Sequence, residues 1–449
     1  MDTKSCSDES GGFGVAGPPV GRRAVLAGAG AAALALALPW AGRAAGVATK
    51  ARILVAGGGA AGLAAASRLA ARLDGADIVL LEPRAEHVYQ PGLTLVGAGI
   101  KRDAYVRLST ADYVPRGVAW LRESVVAFEP EANRLATDGG QTLTYDFLVV
   151  ATGLALDYGA VAGMEPGLIG HEGIASVYAG ADAARASFAA LGRFVESGGV
   201  GLFGRPATDM KCAGAPLKQT FLADDLLRRA GRRDRAELTY MAHNDTVFAV
   251  PAVDARVRDL FARQAIAVRS DHVLTAIDPA RRIATYATPA GPVEMGWDFI
   301  NLIPPMTAPP AVRDSALAWP TGPFAAGGWL EVDPFTLRHR RFANVFGIGD
   351  VCGIPKGKTA ASVKWQAPVA VDHLVAAIAG GTSAARYDGY TSCLLITRIG
   401  QAMLVEFDYD NRLVPSFPFI RPLDEGWLPW VIKVRALKAN YTAMLRGLA

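Results

Sequence analysis

The sequence predicts an α/β protein in which one dinucleotide-binding sheet is interrupted by a second, and three observations carry that reading. A short apolar run, Arg52-Ile53-Leu54-Val55-Ala56, leads directly into Gly57-Gly58-Gly59-Ala60-Ala61-Gly62 and then into an Ala/Leu-rich stretch reaching Arg72. Two later apolar runs, Tyr145 to Gly153 and Arg341 to Asp350, end in a Thr-Gly turn and in an acid at a Gly turn. Trp297-Asp298-Phe299-Ile300-Asn301-Leu302 repeats the aromatic–Asp–Phe–strand pattern of residues 145–150, an echo expected where two such sheets each close. The fold class expected is α/β, with two nested Rossmann-like domains and a C-terminal membrane-surface segment.

Length and composition agree with this. A chain of 449 residues holds two domains or slightly more. With 51% hydrophobic and 20% charged residues it is globular, and its 49 glycines suit tight turns and close ligand approach. A net charge of +4 without runs of like charge argues against nucleic acid as a partner.

The first 48 residues do not read as fold. Arg22-Arg23 precedes a mildly apolar stretch ending at Leu38, and small residues around Ala44 suit cleavage. This pattern predicts a Tat-type export leader, disordered or cleaved, and hence a protein on the periplasmic side of the membrane. The apolar stretch is short for a span, which takes about 20 residues. Cleavage removes Cys6 and leaves Cys212, Cys352 and Cys393 in an oxidising compartment, where one pair persists as a disulfide.

The mature part opens with a βαβ unit. Gly57 makes the tight turn, Gly59 admits a pyrophosphate to the backbone, and Gly62 lets the helix pack on the strand; Ala60 and Ala61 complete the turn. The second strand ends at Glu82, about 20 residues on, where an acid accepts from ribose hydroxyls. With Thr152, Gly153 and Asp350 at the later turns, the chain resembles the two-dinucleotide-domain flavoproteins from residue 51 to about 385, which implies that the dinucleotide is FAD. The expected division is 49–165 with 307–385 for the discontinuous FAD domain, 166–306 for the second domain, and 386–449 for the C-terminal segment.

The second domain is expected to lack a nicotinamide site. Gly199-Val200-Gly201-Leu202-Phe203-Gly204 has the glycine spacing, but its apolar residues are themselves the strand. Pro206 follows where a helix should already run, and proline in a helix interior costs about 3 kcal/mol. The next helix is expected only near Pro216, and the strand Glu237 to Met241 ends without an acid. The loop that replaces the turn carries Cys212.

Five segments, spread in order over residues 51–449, resemble the sulfide:quinone oxidoreductase family: Tyr89 to Gly99, Lys211 to Pro216, Pro304-Pro305-Met306, Lys358 to Ala361, and Tyr387 to Cys393. The resemblance implies that Cys212 and Cys393 form a redox pair on one flavin face, with the persulfide favoured on Cys212. It implies FAD contacts at Glu82, Gln90, Asp350, Lys358, Thr359, Ala360 and Ala361, with Val125 counted among the cofactor-binding positions. Leu394 departs from the family's proline. The Tat-type leader is more typical of flavocytochrome c sulfide dehydrogenases, but the cysteine that links flavin in those proteins has no counterpart between Cys6 and Cys212, so the FAD is expected to be non-covalent.

The chemistry implied is two-electron oxidation of sulfide. Hydrosulfide opens the cysteine pair to a persulfide and a thiolate, electrons pass through FAD to a membrane quinone, and a sulfur acceptor clears the site. Lys211 is the candidate for a positive field at the sulfurs. Lys358 and the N-terminus of the helix from Thr359 to Ile378 are candidates for stabilising reduced flavin. Cys352, two residues beyond Asp350, is the rival partner. Trp427, Leu428, Trp430, Val431, Ile432, Val434 and Leu437 interleave with Lys433, Arg435 and Lys438, a pattern suited to a lipid interface. Alternatives are a flavocytochrome c-type subunit with a haem partner, a type II NADH:quinone oxidoreductase, and a non-catalytic flavin-binding sensor or sulfur carrier. The oligomeric state is left open, a homo-oligomer included.

Overall fold

The computed structural model describes residues 46–448. The Arg22-Arg23 pair, Cys6 and the cleavage site after Ala44 lie outside them. Val47–Ala48, inside the stretch assigned to the leader, pair in parallel with Leu73–Asp74.

Strand β1 (Arg52–Ala56) is buried from Ile53 onward, as the centre of a parallel sheet covered on both faces requires. Helix α1 (Ala60–Arg72), β2 (Asp77–Leu81), β3 (Val118–Leu121) and β4 (Phe147–Val150) follow. Then come β5 (Ile174–Ala175), α2 (Ala181–Ser197), β6 (Gly199–Gly204), α3 (Ala215–Arg229), β7 (Ala236–Met241), β8 (Ile266–Arg269) and β9 (Phe299–Asn301). The chain returns as β10 (Val345–Gly347) and α4 (Ala360–Ile378). It ends with a hairpin, β11 (Thr391–Arg398) and β12 (Gln401–Phe407), and with α5 (Trp427–Val431), a π-helical turn (Ile432–Ala436) and α6 (Leu437–Leu445).

Two parallel five-stranded sheets result, in the orders β10-β4-β1-β2-β3 and β5-β9-β6-β7-β8. The echo in the sequence has a structural counterpart. Asp146 ahead of β4 accepts from the Arg52 amide at 2.7 Å, and Asp298 ahead of β9 accepts from the Val200 amide at 2.8 Å. Each acid pins the start of the sheet's central strand. Helix α3 begins at Ala215, one residue before the expected Pro216.

The C-terminal hairpin packs on α3, and its Leu395, Met403 and Val405 join Leu217 and Phe221 in the core beside the second sheet. This packing carries Cys393 back to the loop before α3. Among the described residues no helix is long and apolar enough to cross a membrane.

Candidate active site

Cys212 sits in the loop between β6 and α3 with φ of 50°, a left-handed conformation uncommon for a residue with a Cβ. Three hydrogen bonds hold it there. Its amide donates to the Lys358 carbonyl at 2.9 Å, and its own carbonyl accepts from the Ala215 amide at 2.8 Å and the Tyr178 hydroxyl at 3.1 Å. Strain held by surrounding contacts is characteristic of functional positions. Cys393, third in β11, pairs with Val405. A Cβ on Gly214 would lie 2.6 Å from the Cys393 sulfur, so only glycine at 214 lets the strand approach. The structure thus brings Cys212 and Cys393 together as free thiols within hydrogen-bonding reach, both lining a cavity of about 250 Å³.

The two sulfurs are not equivalent. Hydrogen bonding from Cys393 draws the Cys212 thiol down despite burial, and the charges of Lys218 and Lys433 draw it further. Cys393, as the donor and itself buried, is pushed up. Lys218 is buried in the first turn of α3, with its ammonium 3.6 Å from the Cys212 sulfur. Burial opposes its charge, but the sulfurs outweigh burial and raise its pKa. Lys433 is also buried, with Nζ donating to the Pro91 carbonyl at 2.8 Å; burial and then Lys218 bring it down to about 7.

These cations sharpen one expectation and correct another. Lys211 lies over the Tyr178 ring and feels the charges of Asp350 and Cys212, but the leading cation at the Cys212 sulfur is Lys218. Lys433, expected at a lipid interface, is buried on the Pro91 carbonyl, and its charge is felt by the cysteines. Lys438 likewise turns inward, to the Tyr105 carbonyl at 2.6 Å. Arg435 remains exposed, as do Trp427 (68%) and Leu428, and they are joined by Phe419 (71%) and Phe417, which the tail pattern did not include. Lys218, Tyr178 and the inward role of Lys433 were missed. A lysine inside the apolar run Ala215-Pro216-Leu217-Lys218 was the available signal for the first.

Cys352 is fully buried, and burial pushes its thiol up to about 12. It behaves as a small hydrophobe rather than a reactive sulfur.

The cofactor positions gather at the carboxyl ends of β1, β4 and β10. Gly57 has φ of 102°, and a Cβ there would lie 2.5 Å from the Ala151 oxygen. A Cβ on Gly62 would overlap the Gly57 carbonyl, whereas Cβ atoms on Gly59 and Gly153 would meet nothing within 4 Å. Beside that open space the buried Thr152 hydroxyl has no hydrogen-bond partner. Glu82 accepts from the Gly58 amide at 2.9 Å and pairs with Arg84. Burial works against its charge, yet Arg84 outweighs burial and holds it below the ordinary carboxylate value. A turn open over its second glycine, an unpartnered hydroxyl and a buried acid at its mouth fit the pyrophosphate and ribose of a dinucleotide.

The other positions surround this cradle. Gln90 is exposed in the 3₁₀ turn Gln90–Gly92, and half-buried Val125 opens the strand Val125–Glu129. Asp350 follows β10, with its carboxyl raised by burial and opposed by Lys211 and Lys358. Thr359 caps α4 by accepting from the Ser362 amide at 3.1 Å, and Ala360 and Ala361 form the first turn. Lys358 donates to the carbonyls of Asp350 and Cys352 at 2.8 Å each and lies 3.6 Å over the Trp329 ring. Its ammonium is thereby committed largely to the protein, leaving the N-terminus of α4 as the free positive pole at this position.

Residues 51–193 match the pyridine nucleotide-disulphide oxidoreductase family. The mitochondrial sulfide:quinone oxidoreductase of Dictyostelium discoideum is 35% identical over 83% of this chain and 80% of its own length. That of Mus musculus is 33% identical over 78% and 77%. The solved structure of the sulfide:quinone oxidoreductase of Aquifex aeolicus superposes with a TM-score of 0.72 at 21% identity, covering 88% of this chain and 92% of that one, a likeness of fold. With mutually reachable cysteines, an open dinucleotide turn and relatives matched over most of their length, the chain belongs to the sulfide:quinone oxidoreductase family.

Proposed function

We propose that this protein oxidises sulfide at Cys212 and Cys393 and passes two electrons through non-covalent FAD to a membrane quinone. The observation that carries the reading is the cysteine pair itself, made electrostatically unequal by the hydrogen bond from Cys393 to Cys212, with the Lys218 ammonium beside the latter. Hydrosulfide attacks the Cys393 sulfur of the oxidised pair, the S–S bond breaks, and Cys212 leaves as a thiolate. The thiol with the lower pKa is the better leaving group, and Lys218 stabilises the charge that appears. This puts the persulfide on Cys393, the reverse of what the family resemblance favoured. Tyr178 and the Lys358 carbonyl hold the Cys212 backbone in place while the bond opens. Bound FAD supplies the two-electron acceptor from which quinone draws. Glu82, Gly57 to Gly62, Gln90, Val125, Thr152, Gly153, Asp350 and Lys358 to Ala361 would hold it.

The wider assignment rests on the same reading. Residues 49–165 with 307–385 serve as the FAD domain, 166–306 as a second domain without a nicotinamide site, and 386–449 as the segment carrying the second cysteine and the membrane contact. Exposed Trp427, Leu428, Phe417 and Phe419, with Arg435 also exposed in the same C-terminal segment, support contact with a lipid surface, from which quinone enters. The twin-arginine leader supports the periplasmic side.

Anaerobic mixing tests this. Sulfide should bleach the flavin absorbance of the oxidised protein, and a soluble quinone should restore it where NAD and cytochrome c do not. Restoration by cytochrome c alone would assign a haem partner. Bleaching by NADH but not by sulfide would overturn the reading.

A further inference from the structure

Two distant segments bring three cations to one aromatic ring. Lys101 lies 5.0 Å over the Tyr105 ring, and Lys438 of α6 lies 4.7 Å over the same ring while donating to the Tyr105 carbonyl at 2.6 Å. Arg435, exposed three residues before Lys438, acts on both Lys101 and Tyr105 as a charge. Among the described residues none of the three cations pairs with a carboxylate. Burial and the Arg435 charge draw Lys101 below its ordinary value, and burial does the same to Lys438, with no acid to offset either. No acidic side chain follows Glu425 in the sequence.

These cations border an apolar cluster. Leu95, Ala98 and Val434 are buried in it, and half-buried Ile100, Tyr105 and Trp430 pack against it. Trp427 and Leu428, in the same helix as Trp430, are exposed. Apolar side chains of this kind enter the acyl boundary of a bilayer, where neighbouring cations meet the phosphates. A free anion would engage the cations and leave Trp427 and Leu428 in water, so the combination favours a lipid.

We propose that Lys101, Arg435 and Lys438 form a binding site for the phosphate of an anionic phospholipid headgroup, so that the protein selects anionic membrane surfaces. The proposal rests on the membrane-contact reading and deepens it. The Arg435 guanidinium offers a planar pair of donors to two phosphate oxygens, and Lys438 keeps two N–H groups beyond the one spent on the Tyr105 carbonyl. The Tyr105 ring holds both ammonium groups near the site before lipid arrives, so less side-chain freedom is lost on binding. Trp427 and Leu428 supply attachment that is indifferent to headgroup charge.

The test follows co-sedimentation of flavin-loaded protein with phosphatidylcholine vesicles and with vesicles of equal parts phosphatidylcholine and phosphatidylglycerol, at fixed ionic strength. Each cation should contribute about fivefold, so the mixed vesicles should bind about 100-fold tighter. Lys101→Gln, Arg435→Gln and Lys438→Gln should each lose about fivefold on the mixed vesicles and nothing on phosphatidylcholine, whereas Trp427→Ser should weaken both alike. An unaltered flavin-to-protein absorbance ratio shows that each variant is folded. Arg446, in the same segment but over the Tyr113 ring, is the control. Arg446→Gln should leave the preference intact, and a loss there equal to that of the three variants would assign the preference to net charge and overturn the site. Equal binding of the unaltered protein to both vesicles overturns the proposal and leaves membrane contact standing; binding to neither overturns both.

Discussion

After β1 the chain turns at Gly57 and leaves open space over Gly59. After β6 it has already spent Gly199, Gly201 and Gly204 inside the strand and runs out into the Cys212 loop. The same glycine spacing serves two purposes. In the first sheet, the second glycine keeps a surface clear for a ligand. In the second, Cβ atoms on Gly201 and Gly204 would lie 2.9 Å from Leu238 and Phe194 and 2.7 Å from the Met241 oxygen, so these glycines serve strand packing. What decides the use is where the strand ends relative to the motif. The sheets are otherwise built alike, each with an acid pinning its central strand, and the Cys212 loop occupies the position that a phosphate-binding turn would take.

The sharpest way to break this comparison is to remove the sulfur from the second site. Cys212→Ser and Cys393→Ser should each slow sulfide-driven bleaching by about 10³-fold or more, as losing a nucleophile does, while flavin stays bound. Stopped-flow absorbance reads the rate, and the flavin-to-protein absorbance ratio reads retention. Full activity in Cys393→Ser would transfer the role to Cys352.

The glycines offer the next largest contrast. Gly59→Val adds atoms where the protein has none and needs no unusual φ, so the fold should survive while flavin affinity falls about tenfold or more. Gly201→Ala should do the opposite, costing about 1–3 kcal/mol of stability through overpacking and leaving flavin content unchanged. Flavin loss in both variants, or in neither, would erase the distinction between the two sheets.

Much of this was legible in the sequence because it rests on local rules. The βαβ turn at 57–62, the acid at 82 and the strand containing Gly199 to Gly204 follow from apolar runs and from where Pro206 falls. The pairing of Cys212 with Cys393 required the family resemblance, since no local rule joins a loop to a strand so far along the chain. The electrostatics were not legible. Lys218 and Lys433 lie in apolar stretches, and periodicity cannot say whether a lysine there reaches for solvent, for lipid or for a buried thiol. Their orientation is set by the packing of the C-terminal hairpin and α3, which is tertiary. The same packing turned Lys433 from an expected lipid contact into a neighbour of the cysteines.

The smallest effect tests whether that buried cation belongs to the sulfur site at a cost to the fold. Lys433 falls from an ordinary 10.5 to about 7 in the folded protein, chiefly by burial. Between those values the unfolded chain holds a proton that the folded protein has released, so unfolding takes up a proton and stability rises with pH. The slope approaches 1.4 kcal/mol per pH unit at most, so a gain of about 1 kcal/mol is expected between about pH 7.5 and 8.5. Below about pH 7 both states hold the proton and the slope vanishes. Lys433→Met has no such group, so its advantage over the unaltered protein should be largest near pH 6 and shrink as pH rises. Denaturant unfolding of both proteins across this range reads the difference directly, and parallel curves would place the Lys433 ammonium in solvent rather than beside Lys218 and the two sulfurs.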